Sequence, residues 1–166
     1  MTLVIRTASL ADAERIGLVH AQSWRESYAH IMSPDFVSQI SDAERIARWT
    51  TNLAVSEATT RVAELDGEIV GFTSVGASRD DDSPRDIELW SIYVLSKAAR
   101  QGVGTALAQA SLGEAPAAVW VLEKNADAQA FYRRLGFVAD GTRKTLEYWE
   151  ETLEYWEGVT DMRMLR

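Results

Sequence analysis

The chain has 166 residues, 46% of them hydrophobic and 25% charged, the profile of an ordinary soluble fold and, by its length, of a single domain over residues 1–166. Its net charge of −8 argues against a nucleic-acid partner, because phosphate-backbone affinity comes from clustered Lys and Arg; a cationic small molecule is the more natural guest. Zero cysteines and only two histidines, His20 and His30, exclude disulfides, thiolate metal sites and a cysteinyl intermediate, so the chemistry is expected to use neither a thiol nor a metal.

The opening "MTLVIRTASL" lacks a charged-then-apolar leader, and no run of about 18 apolar residues follows, so a cytoplasmic protein without a membrane partner is expected. "LVIRTA" alternates like a short strand. "SLADAERIGLVHAQSWRESY" then places apolar residues at helical spacing behind Ser9, an N-cap type. Ser41 and Glu44 in "SDAERIARW" have capping-box spacing and start a second helix. "TTRVAEL" and "EIVGFTSVG" flank Asp66-Gly67, the residue pair that favours a two-residue hairpin. After the polar loop "SRDDDSPRD" comes "IELWSIYVL", rich in β-branched and aromatic residues and read as a fourth, central strand. A helix over "GVGTALAQASLG" ends near Gly113, "AAVWVLE" reads as a buried strand, and "ADAQAFYRRLG" reads as a helix closed by Gly136. "FVADGTRKTLEYW" and "GVTDMRMLR" supply two final strands.

One stretch, "TLEYWEETLEYWEG", writes a seven-residue unit twice with six of seven positions identical. As a helix it would align Leu146, Trp149, Leu153 and Trp156, but it would also set Glu147 against Glu151 and Glu150 against Glu154, like charges four apart. Its Thr, Leu, Tyr and Trp suit strands. Strand and helix both stay open on these grounds; the sixth and seventh strands implied by the resemblance given below assign the first copy mainly to the sixth strand and the second to an enlarged connection or the start of the seventh, with a helix as the alternative.

The segment most informative about chemistry is "IELWSIYVLSKAARQGVGTALAQA", a strand that runs through "ARQGVG" into a helix. Glycines at a first helical turn let backbone N–H groups face an anion unobstructed, and the helix N-terminus adds positive partial charge. A P-loop needs Lys after its second glycine, but Gly104 is followed by Thr105 and Ala106. A dinucleotide fingerprint needs a third glycine near the chain's first strand, and this loop offers only Gly102 and Gly104 after the fourth.

The loop resembles the pyrophosphate-binding motif of the GNAT superfamily of N-acetyltransferases, Gln/Arg-x-x-Gly-x-Gly/Ala. A second motif of that family is matched by "NADAQAFYRRLGF", at Asn125, Ala128, Phe131, Tyr132, Gly136 and Phe137. The resemblance covers nearly the whole chain. It implies an α/β (α+β) fold with a mixed, mostly antiparallel sheet of six to seven strands, the fourth and fifth splayed, and about four helices on both faces. It departs at Ala99, which stands where the family has Gln or Arg, with Arg100 one place later.

The resemblance implies acetyl-CoA as co-substrate and an N-acetyltransferase that works by direct attack of the amine in a ternary complex. The pantetheine arm would pair with backbone groups at Ile92, Tyr93 and Val94, with an N–H near Ile92 stabilising the carbonyl oxygen. The diphosphate would lie over Arg100, Gln101, Gly102, Val103, Gly104 and Thr105, with Arg100 as a charge-assisted contact and Asn125 as a cofactor hydrogen-bond partner or helix cap. Tyr132 matches the tyrosine that protonates the departing thiolate, against a core-packing alternative beside Phe131. Glu88 matches a carboxylate that acts as base, against an ordinary strand-end or binding glutamate.

For the acceptor, Trp24 and Tyr28 share one face of the first helix, where they border the amine pocket or pack in the core. Trp90 lies two residues from Glu88 and offers a ring to a cation. His20 and His30 are expected to be solvent-facing or hydrogen-bonded. The substrate expected is a small primary amine. The alternatives are a protein N-terminus or lysine, or a silent acetyl-CoA-binding sensor or assembly module, which the departure at Ala99 keeps open. The resemblance also brings a homodimer through the C-terminal strands into view, with the doubled "TLEYWE" at the acceptor cleft or at a partner subunit.

Overall fold

The alternating "LVIRT" segment forms strand β1 (Leu3–Thr7), and the chain runs on through helices α1 (Ala13–Tyr28), α2 (Pro34–Ser38) and α3 (Asp42–Val55) to a hairpin of β2 (Thr59–Leu65) and β3 (Glu68–Ala77). Then come β4 (Ile87–Val94), α4 (Val103–Leu112), β5 (Ala118–Leu122), α5 (Ala126–Arg134), β6 (Val138–Trp149) and β7 (Glu154–Leu165). This computed structural model describes residues 1–149 and 154–166, with residues 146–149 and 154–158 given by their backbone. Among the described residues the fold is mixed α/β, with five α-helices and seven mostly antiparallel strands. The chain forms two compact units, Met1–Ala77 with Leu89–Glu114, and Ser78–Glu88 with Ala115–Arg166.

The element order follows the sequence reading except for α2. That helix has five residues, too few to show a period, and local chemistry makes it: Pro34 stands in the first turn and Ser33 Oγ accepts the Phe36 N–H at 3.2 Å. The expected start and stop signals are in place. Ser41 Oγ accepts the Glu44 N–H at 3.3 Å, while Ser9 precedes a short 3-10 turn, Leu10–Asp12, that leads into α1. Asp66 and Gly67 turn the hairpin with φ of 52° and 85°.

In the first unit β1, β2, β3 and β4 stand in that order. Between β2 and β3 the register shifts: Ala63 faces Gly71 and Glu64 faces Ile69, which leaves Val70 as the extra residue of a bulge. The bulge resets which face each residue takes. Val62, Ile69 and Phe72 join Ala13, Ile16 and Val19 of α1 and Trp49 of α3 in one buried cluster. Ala63 and Val70 join Val103 and Leu107 of α4 in another. Successive strand residues point to opposite faces, so α1 with α3 and α4 cover opposite sides of these strands. Burying each of the larger side chains contributes roughly 1.5–3 kcal/mol. At Gly17 the helices nearly touch, for a Cβ there would lie 2.6 Å from Ile46 Cα.

In the second unit the order is β5, β7, β6, all antiparallel. Trp120 faces Arg163 and Leu122 faces Asp161 across one pair; Lys144 faces Asp161 across the other. These five side chains therefore share one face. The doubled segment lies in the β6/β7 hairpin: Tyr148 pairs with Tyr155 and Trp149 with Glu154. Strand conformation thus holds the first copy up to Trp149 and the second from Glu154, and the assignment of residues 150–153 lies outside the described residues.

Candidate active site

The loop between β4 and α4 enters its helix through two left-handed residues, Arg100 at φ 61° and Gly102 at φ 82°. Gly102 has no Cβ to strain there, whereas Arg100 holds a conformation that is unfavourable for a residue with a side chain. The first helical N–H to return to the chain is that of Ala106, which donates to Gly102 O at 2.9 Å. The N–H groups of the preceding first turn have no intrahelical acceptor and sit at the positive end of the α4 dipole. A Cβ built on Gly102 would meet nothing within 4 Å, and Arg100, Gln101 and Thr105 are exposed, so the turn is open where an anion would approach. Gln101 folds back through Nε2 to Lys97 O at 2.9 Å, which steadies the loop. Val103 is buried under the sheet while Gly104 stays partly open.

Ile92, Tyr93 and Val94 sit half-buried at the end of β4 in the same unit. The Tyr93 hydroxyl stands 3.4 Å from that of Tyr28, so this strand end and α1 are joined. Trp90 donates its Nε1–H to Ala77 O at 2.9 Å. Trp24 lies inside the packing of α1, only 4% exposed, with the Arg45 guanidinium 4.2 Å from its ring centroid. Tyr28 is likewise buried at 7%. Both are buried, and Arg45 of α3 lies over the Trp24 ring while Tyr28 meets the ring of Trp24 and the hydroxyl of Tyr93. His20 is buried rather than solvent-facing, and its Nδ1 accepts the Trp49 Nε1–H at 3.0 Å. Burial, reinforced by Arg45 and Arg48, holds its imidazole well below the ordinary histidine range, in the neutral form.

The remaining expected site residues belong to the second unit. Glu88 is 1% exposed, and among the described residues its carboxylate hydrogen bonds come from Arg79: the backbone N–H at 2.9 Å, Nε at 3.0 Å and Nη2. Asn125 caps α5, its Oδ1 accepting the Ala128 N–H at 3.1 Å, which leaves its amide NH2 as the group able to donate elsewhere. Tyr132 is buried between the edges of Phe131 and Phe137, with ring centroids at 5.5 and 5.9 Å. Gly136, at φ 92°, ends α5 and releases the chain towards Phe137.

Sequence reading did not single out the shared face of β5, β6 and β7. There Asp80 accepts the Trp120 Nε1–H, Lys144 Nζ lies 3.9 Å from the Trp120 ring centroid and 3.7 Å from Asp80, and Arg163 reaches Asp140 at 2.7 Å. Asp161 is buried at 7% on the same face, and burial pushes its carboxyl up to about 6, with Lys144 and Arg79 pulling the other way. The available signal was an acid in the alternating strand "TDMRML".

Comparison with known proteins agrees with this geometry. Residues 21–137 match the model of the acetyltransferase (GNAT) family. An uncharacterized N-acetyltransferase, YuaI, of Bacillus subtilis is 32% identical over 130 residues, covering 74% of this chain and 73% of that protein. A probable N-acetyltransferase of Mycobacterium tuberculosis, Rv2775, is 28% identical over 142 residues, 82% of this chain and 80% of its own. Among solved structures, a GCN5-related N-acetyltransferase from Rhodopseudomonas palustris superposes with a TM-score of 0.73 at 22% identity, covering 100% of this chain and 96% of that one. The PaiA N-acetyltransferase from Thermoplasma acidophilum, solved in complex with coenzyme A, gives 0.70 at 19% identity over 100% and 99%. With its glycine loop, its second motif and its fold in agreement, the chain belongs to the GNAT family of N-acetyltransferases.

Proposed function

We propose that this acyltransferase moves the acetyl group of acetyl-CoA to a primary amine of a small cationic acceptor, by direct attack in a ternary complex. The observation that carries the reading is the open first turn of α4 behind left-handed Arg100 and Gly102, which suits a diphosphate. Acetyl-CoA supplies an acetyl group already activated as a thioester. The chain's part is to hold it: backbone N–H groups from Arg100 to Thr105 at the diphosphate, the Arg100 guanidinium beside them, and the Asn125 NH2 as a further donor. Backbone groups of Ile92, Tyr93 and Val94 serve the amide-bearing arm.

The neutral amine attacks the thioester carbonyl, the C–S bond breaks, Tyr132 gives its hydroxyl proton to the departing thiolate, and the proton shed by the new amide nitrogen restores that hydroxyl through water. The buried Tyr132 ring, fixed by Phe131 and Phe137, sets the direction of that hydroxyl. Arg79 ties the Glu88 carboxylate from its backbone and its side chain, and we assign Glu88 to anchoring the segment Ser78–Glu88, the catalytic base being the alternative. Trp90 remains the acceptor-side residue of β4 that is not fully buried.

Thiol release from acetyl-CoA, measured against a panel of small primary amines and peptides, tests the reading. Release with small cationic amines and not with peptides is the expected result. Tight acetyl-CoA binding with no release for any acceptor would overturn it in favour of a silent binding module.

A further inference from the structure

The second unit holds an ammonium already, and that ammonium belongs to the protein. Lys144 Nζ sits 3.9 Å from the Trp120 ring centroid and 3.7 Å from Asp80 Oδ1. Asp80 also accepts the Trp120 Nε1–H, which fixes the indole with its face towards the cation. Directly across the β6/β7 pair from Lys144 stands Asp161, and across β5/β7 from Asp161 stands Leu122. Asp161 is 7% exposed, and among the described residues its carboxylate accepts no hydrogen bond. A buried carboxylate without a donor is costly; this one lies across from Lys144, on the strand face that carries Trp120, and Lys144 feels its charge while the Trp120 ring and Asp80 hold its butylammonium.

We propose that Trp120, Asp80 and Asp161 form the recognition box for the primary ammonium of the acceptor, and that Lys144 occupies its place until the acceptor displaces it. The Lys144 side chain is 45% exposed, so it has water to withdraw into. Its own length and unbranched shape define the class of guest: an unbranched primary alkylammonium. Among the described residues the other charges near the box are Arg79 and Asp82 from the segment Ser78–Glu88, and Arg163 on β7, whose guanidinium is engaged by Asp140 and Asp82 and lies 5.8 Å from the Trp120 centroid. The site deepens the transferase reading and rests on it for the identity of its guest as acceptor.

Calorimetric titration of the full chain with n-butylammonium and with butane-1,4-diamine, run beside the thiol-release assay, tests the box. Wild type is expected to bind the probes at pH 7.5. Asp161→Asn should weaken them about tenfold, the loss of one charge-assisted contact. Lys144→Ala should tighten them about fivefold by removing the internal competitor, an effect that a purely structural lysine would not produce. Coenzyme A affinity should be the same in all three proteins. The box is refuted if wild type and Lys144→Ala both fail to bind the probes, or if amines are acetylated with KM unchanged in Asp161→Asn and Lys144→Ala. If the probes bind with the expected variant pattern but no amine is acetylated, the box stands and the transferase reading fails.

Discussion

Arg79 engages Glu88 from its backbone and its side chain at once, N–H to Oε2 at 2.9 Å and Nε to Oε1 at 3.0 Å. The carboxylate is buried, whereas 44% of the Arg79 side chain remains in water. The pair is therefore asymmetric, and so are its variants. Arg79→Ala strands a buried charge and is expected to cost about 2–3 kcal/mol, below the full penalty for a dry pair because Arg79 is solvated. Glu88→Gln keeps an acceptor for the backbone N–H and should cost less, about 1 kcal/mol. Urea unfolding of both variants measures this order. In the transfer assay Glu88→Gln is expected to leave the shape of the pH profile unchanged; a displaced limb would restore Glu88 as the base.

Tyr132 makes a different prediction because its ring and its hydroxyl do separable work. Tyr132→Phe keeps the packing against Phe131 and Phe137 and removes only the proton donor. The rate of thiol release should fall on the order of 10²-fold while coenzyme A affinity stays within about twofold. Equal losses in both quantities would reduce Tyr132 to a packing residue.

The glycine loop separates conformation from charge. Gly102→Ala meets no neighbour within 4 Å, so its effect is the cost of a left-handed alanine, about 1–2 kcal/mol, and it should weaken coenzyme A binding by disturbing the turn. Arg100→Gly relaxes the backbone at φ 61° and deletes the guanidinium. Stability should rise by about 0.5–1 kcal/mol while coenzyme A affinity falls and becomes less sensitive to salt. A gain in stability with unchanged affinity would show that Arg100 does not reach the cofactor.

What could be read from sequence was what one residue type imposes locally. Asp66-Gly67 and Gly102 demand left-handed backbone, so the hairpin and the loop were legible, as was the α5 cap at Asn125. The spacing of Trp24 and Tyr28 put them on one face of α1 but could not say what that face meets. Trp24 meets Arg45 of α3, and Tyr28 meets Tyr93 of β4. Asp161 was harder still. Alternation in β7 assigns it a side, yet its burial depends on β5 and β6, and Arg79, whose charge acts on it, comes from a polar loop that reads as solvated.

Asp161 also carries the clearest pH prediction. Burial raises its folded-state carboxyl from 3.8 to about 6, so the folded protein holds the proton more tightly than the unfolded chain does. Stability attributable to this group therefore falls as pH rises from 3.8, and the penalty is complete above 6. Roughly two units of difference, at about 1.4 kcal/mol each, make that penalty about 3 kcal/mol near pH 7.5 and about 1 kcal/mol at pH 4.5. Asp161→Asn should recover most of it, so its urea-unfolding advantage over wild type should grow between those two pH values. An advantage that is constant with pH would mean that the carboxylate is not desolvated. A charge kept at such a cost is what an ammonium box requires, since a bound cation returns the lost stabilisation. Saturating n-butylammonium should thus raise the melting temperature of wild type at pH 7.5 by more than that of Asp161→Asn, as a tenfold weaker site requires.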